Sequence, residues 1–224
     1  MKFDRLAVVS LVCIWLFGCG ANDLDGPERI EFDDVERVEL DVESGEVYVL
    51  GSANSEGAVV NRWWSGDDDF EQLAERNSAQ RLVVESICRG GWSCEARYEM
   101  TVQRSAPVDA RIGRGLLRLM RIRGHVEAEL GEGQLVGRGL KSRLFDADVQ
   151  RGRVDVKFVE APDHIRLKLG DSASARVELP EERYRCDFDE EAGSVDAGDL
   201  ECNRHVGERI QLDPPDADVT FRVQ

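Results

Sequence analysis

Six cysteines are the residues of this chain best placed to do chemistry. Cys19 closes an apolar run, Leu6 to Phe17, that follows a short basic start of Lys2 and Arg5. A run of about a dozen residues is too short to cross a bilayer and reads as the core of an export signal. Leu16-Phe17-Gly18-Cys19 then fits the lipobox, cleaved ahead of a cysteine that receives a diacylglycerol. Residues 1–18 are therefore expected to be a lipoprotein signal peptide and Cys19 the lipidated start of the mature chain. An ordinary signal peptide, or a buried segment with a chance cysteine, would leave unexplained why the apolar run stops at Cys19.

Cys13 leaves with the signal, so Cys88, Cys94, Cys186 and Cys202 remain. An even number in an exported chain favours disulfides. With Gly91 as the centre of a turn, Cys88 faces Cys94, Ser86 faces Ala96, Val84 faces Tyr98 and Leu82 faces Met100. That register predicts a hairpin closed by Cys88–Cys94. Cys186 and Cys202 form the second expected pair. Neither pair has the close Cys-x-x-Cys spacing of a zinc site, and no metal is expected.

Other chemistry is harder to find. His125, His164 and His205 share no metal-ligand spacing, and no serine sits in a Gly-x-Ser-x-Gly elbow. Asp67-Asp68-Asp69 and the Asp213, Asp216, Asp218 group match no calcium loop and read as solvated acidic segments. Trp63 and Trp64 are adjacent, so one strand cannot turn both inward; the outer one could stack on a sugar ring or cap the chain end. No catalytic residue and no cofactor are expected.

The elements that position these residues repeat. Val108 to Leu119 reads V-D-A-R-I-G-R-G-L-L-R-L, Val126 to Gly137 V-E-A-E-L-G-E-G-Q-L-V-G, and Phe145 to Val156 F-D-A-D-V-Q-R-G-R-V-D-V. Val38 to Val49 fits the same frame; Ile165 to Arg176 fits with its Gly early, at Gly170; Tyr184 to Val195 fits with one extra residue; Ile210 to Phe221 carries Ala217 in the Gly slot. Apolar residues alternate with charged ones, which is the strand period, and a Gly at the eighth place marks a tight turn. From Val108 to Ile165 the copies are 18, 19 and 20 residues apart. Short coils of near-constant length predict an all-β fold, a β-solenoid of short strands with tight Gly turns, each coil stacked on the last. The inner columns would be Val108, Val126, Phe145, Ile165; then Ala110, Ala128, Ala147, Leu167; then Ile112, Leu130, Val149, Leu169. A β-sandwich or hairpin stack is the alternative, since tight turns also close hairpins.

The repeat resembles the "putative-adhesin" domain family of bacteria, extracytoplasmic proteins with a β-helix-like fold. The likeness rests on the turns S-G-E-V at 44–47, R-G-R-V at 151–154 and A-G-S-V at 192–195, and on Val177-Glu178-Leu179-Pro180. It covers most of residues 36–224; the acid-rich start and the cysteine pairs lie outside the family pattern. The resemblance implies a β-helix-like fold and a surface location, and carries no catalytic residues.

The expected organisation is a signal peptide over 1–18, an acidic flexible tether over 19–35, an N-terminal β region with the disulfide hairpin over 36–106, and the repeat solenoid over 107–224. The formal net charge is −16, which argues against nucleic acid as a partner. Yet residues 111–168 hold 13 basic and 8 acidic side chains. Arg111, Arg114, Arg151, Arg153, Arg166 and Lys168 fall at outward places of the repeats and are expected to line up as one polyanion-binding strip. Together these readings point to a lipid-anchored, non-catalytic scaffold of the cell envelope, adhesin-like, held in the outer membrane through its N-terminal lipid. Its expected partner is an envelope polysaccharide or protein. A polysaccharide-active β-helix enzyme and a purely structural or sensory envelope component are the alternatives.

Overall fold

The computed structural model describes residues 25–65, 70–76, 80–88, 94–188, 194–203, 205–213 and 217–224. The signal segment and Cys19 lie outside them. The described residues form strands and no helix: β1 (Asp25–Phe32), β2 (Arg37–Ser52), β3 (Ala58–Ser65), β4 (Phe70–Arg76), β5 (Arg81–Cys88), β6 (Glu95–Gln103), β7 (Val108–Met120), β8 (Val126–Leu140), β9 (Leu144–Phe158), β10 (His164–Leu179), β11 (Arg183–Phe188), β12 (Val195–Asp196), β13 (Glu201–Cys202), β14 (Arg209–Asp213) and β15 (Asp218–Val223).

The stack β2-β7-β8-β9-β10 is parallel and in register through the repeat frame. Val108, Val126, Phe145 and Ile165 form the first column, as the 18-to-20-residue spacing predicts, and Val38 joins it beside Val108. Hairpins pair antiparallel, so parallel neighbours decide for the solenoid. Each copy is one long strand bent at its Gly into a first arm and a second arm. Inward places are even-numbered before the bend in β8 (Val126, Ala128, Leu130) and odd after it (Leu135, Gly137). The bend thus keeps apolar residues inside on both arms, where they merge into one core.

The bend requires glycine. Gly45, Gly115, Gly133 and Gly152 stack on one another at φ between 121° and 147°. A Cβ on Gly133 would lie 1.8 Å from the Gly115 carbonyl oxygen. In β10 an irregularity between Leu169 and Ser172 moves the slot, and Ala173 faces Gly152. Gly170 instead packs beside the Gln150 carbonyl, and so completes a neighbouring column with Gly113 and Gly131.

The chain does not add coils in sequence order at the ends. β5 and β6 together make one coil: β5 pairs with the first arm of β2, and β6 with its second arm. β2 therefore lies between that coil and β7. At the other end β14 and β15 slot in beside β10, leaving β11 and β12 outside them. Antiparallel β4, β3 and β1 cover the first end.

Three expectations are corrected here. β5 and β6 do not pair with each other, so Ser86–Ala96 and Val84–Tyr98 are not cross-strand neighbours; both strands use β2 instead. Cys186, not Tyr184, occupies the first column, opposite Ile210. The tether is shorter than 19–35, because Asp25–Phe32 is a strand of the sheet and Val35 is fully buried.

Candidate binding surface

Stacking in register turns each outward place of the frame into a row of side chains about 4.8 Å apart. The first arms carry two rows. One runs Glu39, Asp109, Glu127, Asp146, Arg166. The other runs Glu85, Asp41, Arg111, Glu129, Asp148, Lys168. Carboxylates dominate from β2 to β9, and the cations present are paired: Arg111 with Glu129 at 3.4 Å, Lys168 with Asp148 at 2.6 Å, Arg166 with Asp213 at 2.8 Å. Those hydrogen-bonded carboxylates, with Asp148 and Asp213 foremost, hold Lys168 and Arg166 above their ordinary pKa. Beside the second row, Gly113 and Gly131 leave an open groove of about 600 Å³, edged by Asp41, Glu85, Arg111, Glu129 and Asp148.

The second arms present a different face. Arg97 stacks over Trp63 and over Tyr48, and Arg118 covers Tyr48 at 5.1 Å. Trp63 faces outward beside Arg97 while Trp64 pairs with Ala96 on the inner side, so the two tryptophans alternate as their adjacency requires. β8 is irregular between Gly137 and Leu140, and Arg138 donates two hydrogen bonds of 3.1 and 2.8 Å to the Asp155 carboxylate and a third of 2.8 Å to its carbonyl. The bonding to the carboxylate, more than any other influence, holds the Asp155 carboxyl below its usual range.

At the ends of the second arms the chain turns to the next coil. This edge carries Arg104, Arg121, Arg123 and Lys141 beside Leu50, Met120 and Val159, each at least 37% exposed. Lys141 and Arg123 share Glu160, whose carboxyl is held below its usual range chiefly by the Lys141 hydrogen bond. Arg104 and Arg121 form no ion pair with a described carboxylate.

The six expected cations do not make one strip. Arg111, Arg166 and Lys168 lie on the first arms, Arg114 and Arg151 at the bend, and Arg153 on the second arms. Arg151 pairs with Glu132 at 3.1 Å. The reason is the bend: cations before it, at it and after it belong to different stretches of the coil, so outward places on its two sides do not stack into one row. The acidic row was missed, although its signal stands in the frame: the second place is Glu39, Asp109, Glu127 and Asp146 in four copies.

Cys186 and Cys202 are joined, Cα atoms 5.5 Å apart, and staple β11 to β13. A closed loop of this length contributes about 3 kcal/mol. Cys94 is disulfide-bonded and buried; the Cys88 side chain lies outside the described residues. His125 and His164 sit at coil junctions. Asp213 accepts from Arg166 and Gln211, while Asp67, Asp68, Asp69 and Asp216 lie outside the described residues. Among the described residues no group of three or more His, Cys, Asp or Glu is placed to hold a metal ion.

No family model matches the chain, and no curated protein is similar to it in sequence. A solved structure shares its fold. It is the "putative cell adhesion protein" of Clostridium sporogenes ATCC 15579, 13% identical, with a TM-score of 0.51 over 89% of this chain and 100% of that one. At that identity the likeness is one of fold.

Proposed function

We propose that this chain is a lipid-anchored, non-catalytic scaffold of the bacterial cell envelope, adhesin-like, which presents solenoid faces to a partner. The observation that carries the reading is the stacking itself. Each outward place is multiplied into a row, and the rows form open surfaces rather than an enclosed pocket of convergent polar groups. The fold shared with the clostridial "putative cell adhesion protein", the exported-type disulfide and Leu16-Phe17-Gly18-Cys19 support it. Metabolic labelling with a fatty-acid analogue tests the anchor: wild type is labelled and Cys19→Ala is not. Equal labelling of both removes the lipoprotein from the reading.

One observation favours a second reading, a polysaccharide-active enzyme: Asp41, Glu85, Arg111, Glu129 and Asp148 edge one groove. Asp41 and Glu129 are exposed and Glu85 and Asp148 half-buried, and Glu129 and Asp148 are tied up in ion pairs. Release of new reducing or unsaturated chain ends from envelope polysaccharide, lost in Asp41→Asn/Glu129→Gln, would establish the enzyme and displace the scaffold.

A further inference from the structure

We infer that the turn edge of β2, β7, β8 and β9 docks on the anionic headgroups of the membrane that holds the protein. This deepens the scaffold reading and rests on its lipid anchor. The first observation is the edge's composition. Of the five large apolar side chains exposed among the described residues, three, Leu50, Met120 and Val159, gather here among Arg104, Arg121 and Lys141, while Ile87 and Leu144 lie elsewhere. Apolar side chains set among cations are what an interfacial surface needs: the former enter the headgroup boundary and the latter meet phosphates.

The second observation is the length of chain before the sheet. β1 begins at Asp25, six residues after Cys19. Fully extended, that stretch spans about 20 Å. A lipid on Cys19 therefore holds the domain against the bilayer rather than above it, and some side of the solenoid must face the headgroups. The carboxylate rows of the first arms are repelled by an anionic surface. The turn edge is attracted, because Arg104 and Arg121 have no described carboxylate to neutralise them.

The test uses the full mature protein with an environment-sensitive fluorophore on Val159→Cys. With phosphatidylglycerol-rich vesicles its emission should shift to the blue. With neutral phosphatidylcholine vesicles, or with soluble alginate, it should not. High salt should abolish the shift, as should Arg104→Glu/Arg121→Glu; the salt arm needs no variant and does not depend on that one folding. A fluorophore on Glu129→Cys should stay in water throughout. An equal shift on neutral vesicles, a shift with alginate alone, or no shift on anionic vesicles overturns the inference. Fatty-acid labelling of the same samples keeps the two readings apart. Labelled protein with an unmoved Val159 probe overturns the docking edge and leaves the anchor. Unlabelled protein whose probe still shifts supports the edge and overturns the anchor.

Discussion

The two arms of the same strands face solvent with opposite chemistry. From β2 to β9 the first arms turn out Glu39, Asp41, Asp109, Glu127, Glu129, Asp146 and Asp148, with Arg111 among them. The second arms turn out Arg118, Arg138, Arg153 and Lys157 beside the carboxylates Glu46 and Asp155, with Tyr48, Leu50, Leu116, Met120 and Val136. Both arms obey one rule inside, apolar columns with almost no exposure. The core therefore dictates nothing about the sign of the outer rows. In-register stacking sets like charges side by side, which destabilises a sheet. Acidic neighbours such as Asp109, Glu127 and Asp146 work against folding, and their recurrence at the second place of the frame makes the acidic face a surface property with its own cause.

The contrast between inside and outside on one arm gives the largest expected effect. Leu130 is 2% exposed, and its neighbour Glu129 faces water. Leu130→Asp sets an unpaired charge between Ile112 and Val149, with an expected loss of about 4 kcal/mol or more, enough to unfold the domain. Glu129→Lys should move the melting temperature little. Comparable losses in both would contradict the inward assignment.

The bend that separates the arms comes next. Gly133 has φ 136° and no room for a Cβ, whereas Gly139 has φ 64° and its nearest neighbour, Arg121 Cγ, at 3.8 Å. Gly133→Ala should cost about 3 kcal/mol, from backbone strain plus displacement of the Gly115 carbonyl. Gly139→Ala should cost about 1 kcal/mol, from its left-handed backbone alone. Denaturant midpoints measure both, and equal costs would show that the stacked glycines do not make the bend.

How much of this was legible follows from what is local. The columns through Val108, Val126 and Phe145 could be read because alternation and a fixed Gly place sit within each copy. The order of the end coils could not. β5 and β6 each alternate, and any two alternating segments around Gly91 satisfy a hairpin register, while β2 lies more than thirty residues away and offers partners to both. The Cys186 column failed by two residues, because Tyr184 and Cys186 both fit the alternation and the copy was started two places early; counted from Cys186, Gly193 stands at the eighth place of the frame. The basic strip failed because net charge says nothing of direction across a bend. The acidic row and the apolar turn edge were both present in the sequence, but only stacking shows which places become neighbours.

The smallest effect separates the two faces by charge alone. Glu127 lies between Asp109 and Asp146 in the acidic row. Glu127→Lys replaces two repulsive neighbours by two attractive ones, and should stabilise by about 0.5 kcal/mol at low salt. On the other face Arg138 is fixed to the Asp155 carboxylate by two hydrogen bonds, with side chains 41% and 24% exposed. Arg138→Glu replaces attraction by repulsion there, and should destabilise by about 1 kcal/mol. Both exposed effects are screened by salt, with a Debye length of about 8 Å at physiological ionic strength. Wild type should therefore gain on the acidic face and lose on the other as salt rises. In melting curves over a salt series, Glu127→Lys should lose its advantage and Arg138→Glu should recover part of its deficit. If Glu127→Lys instead destabilises at low salt, the carboxylates of that row are held apart or paired in solution, and the two faces do not differ as their rows suggest.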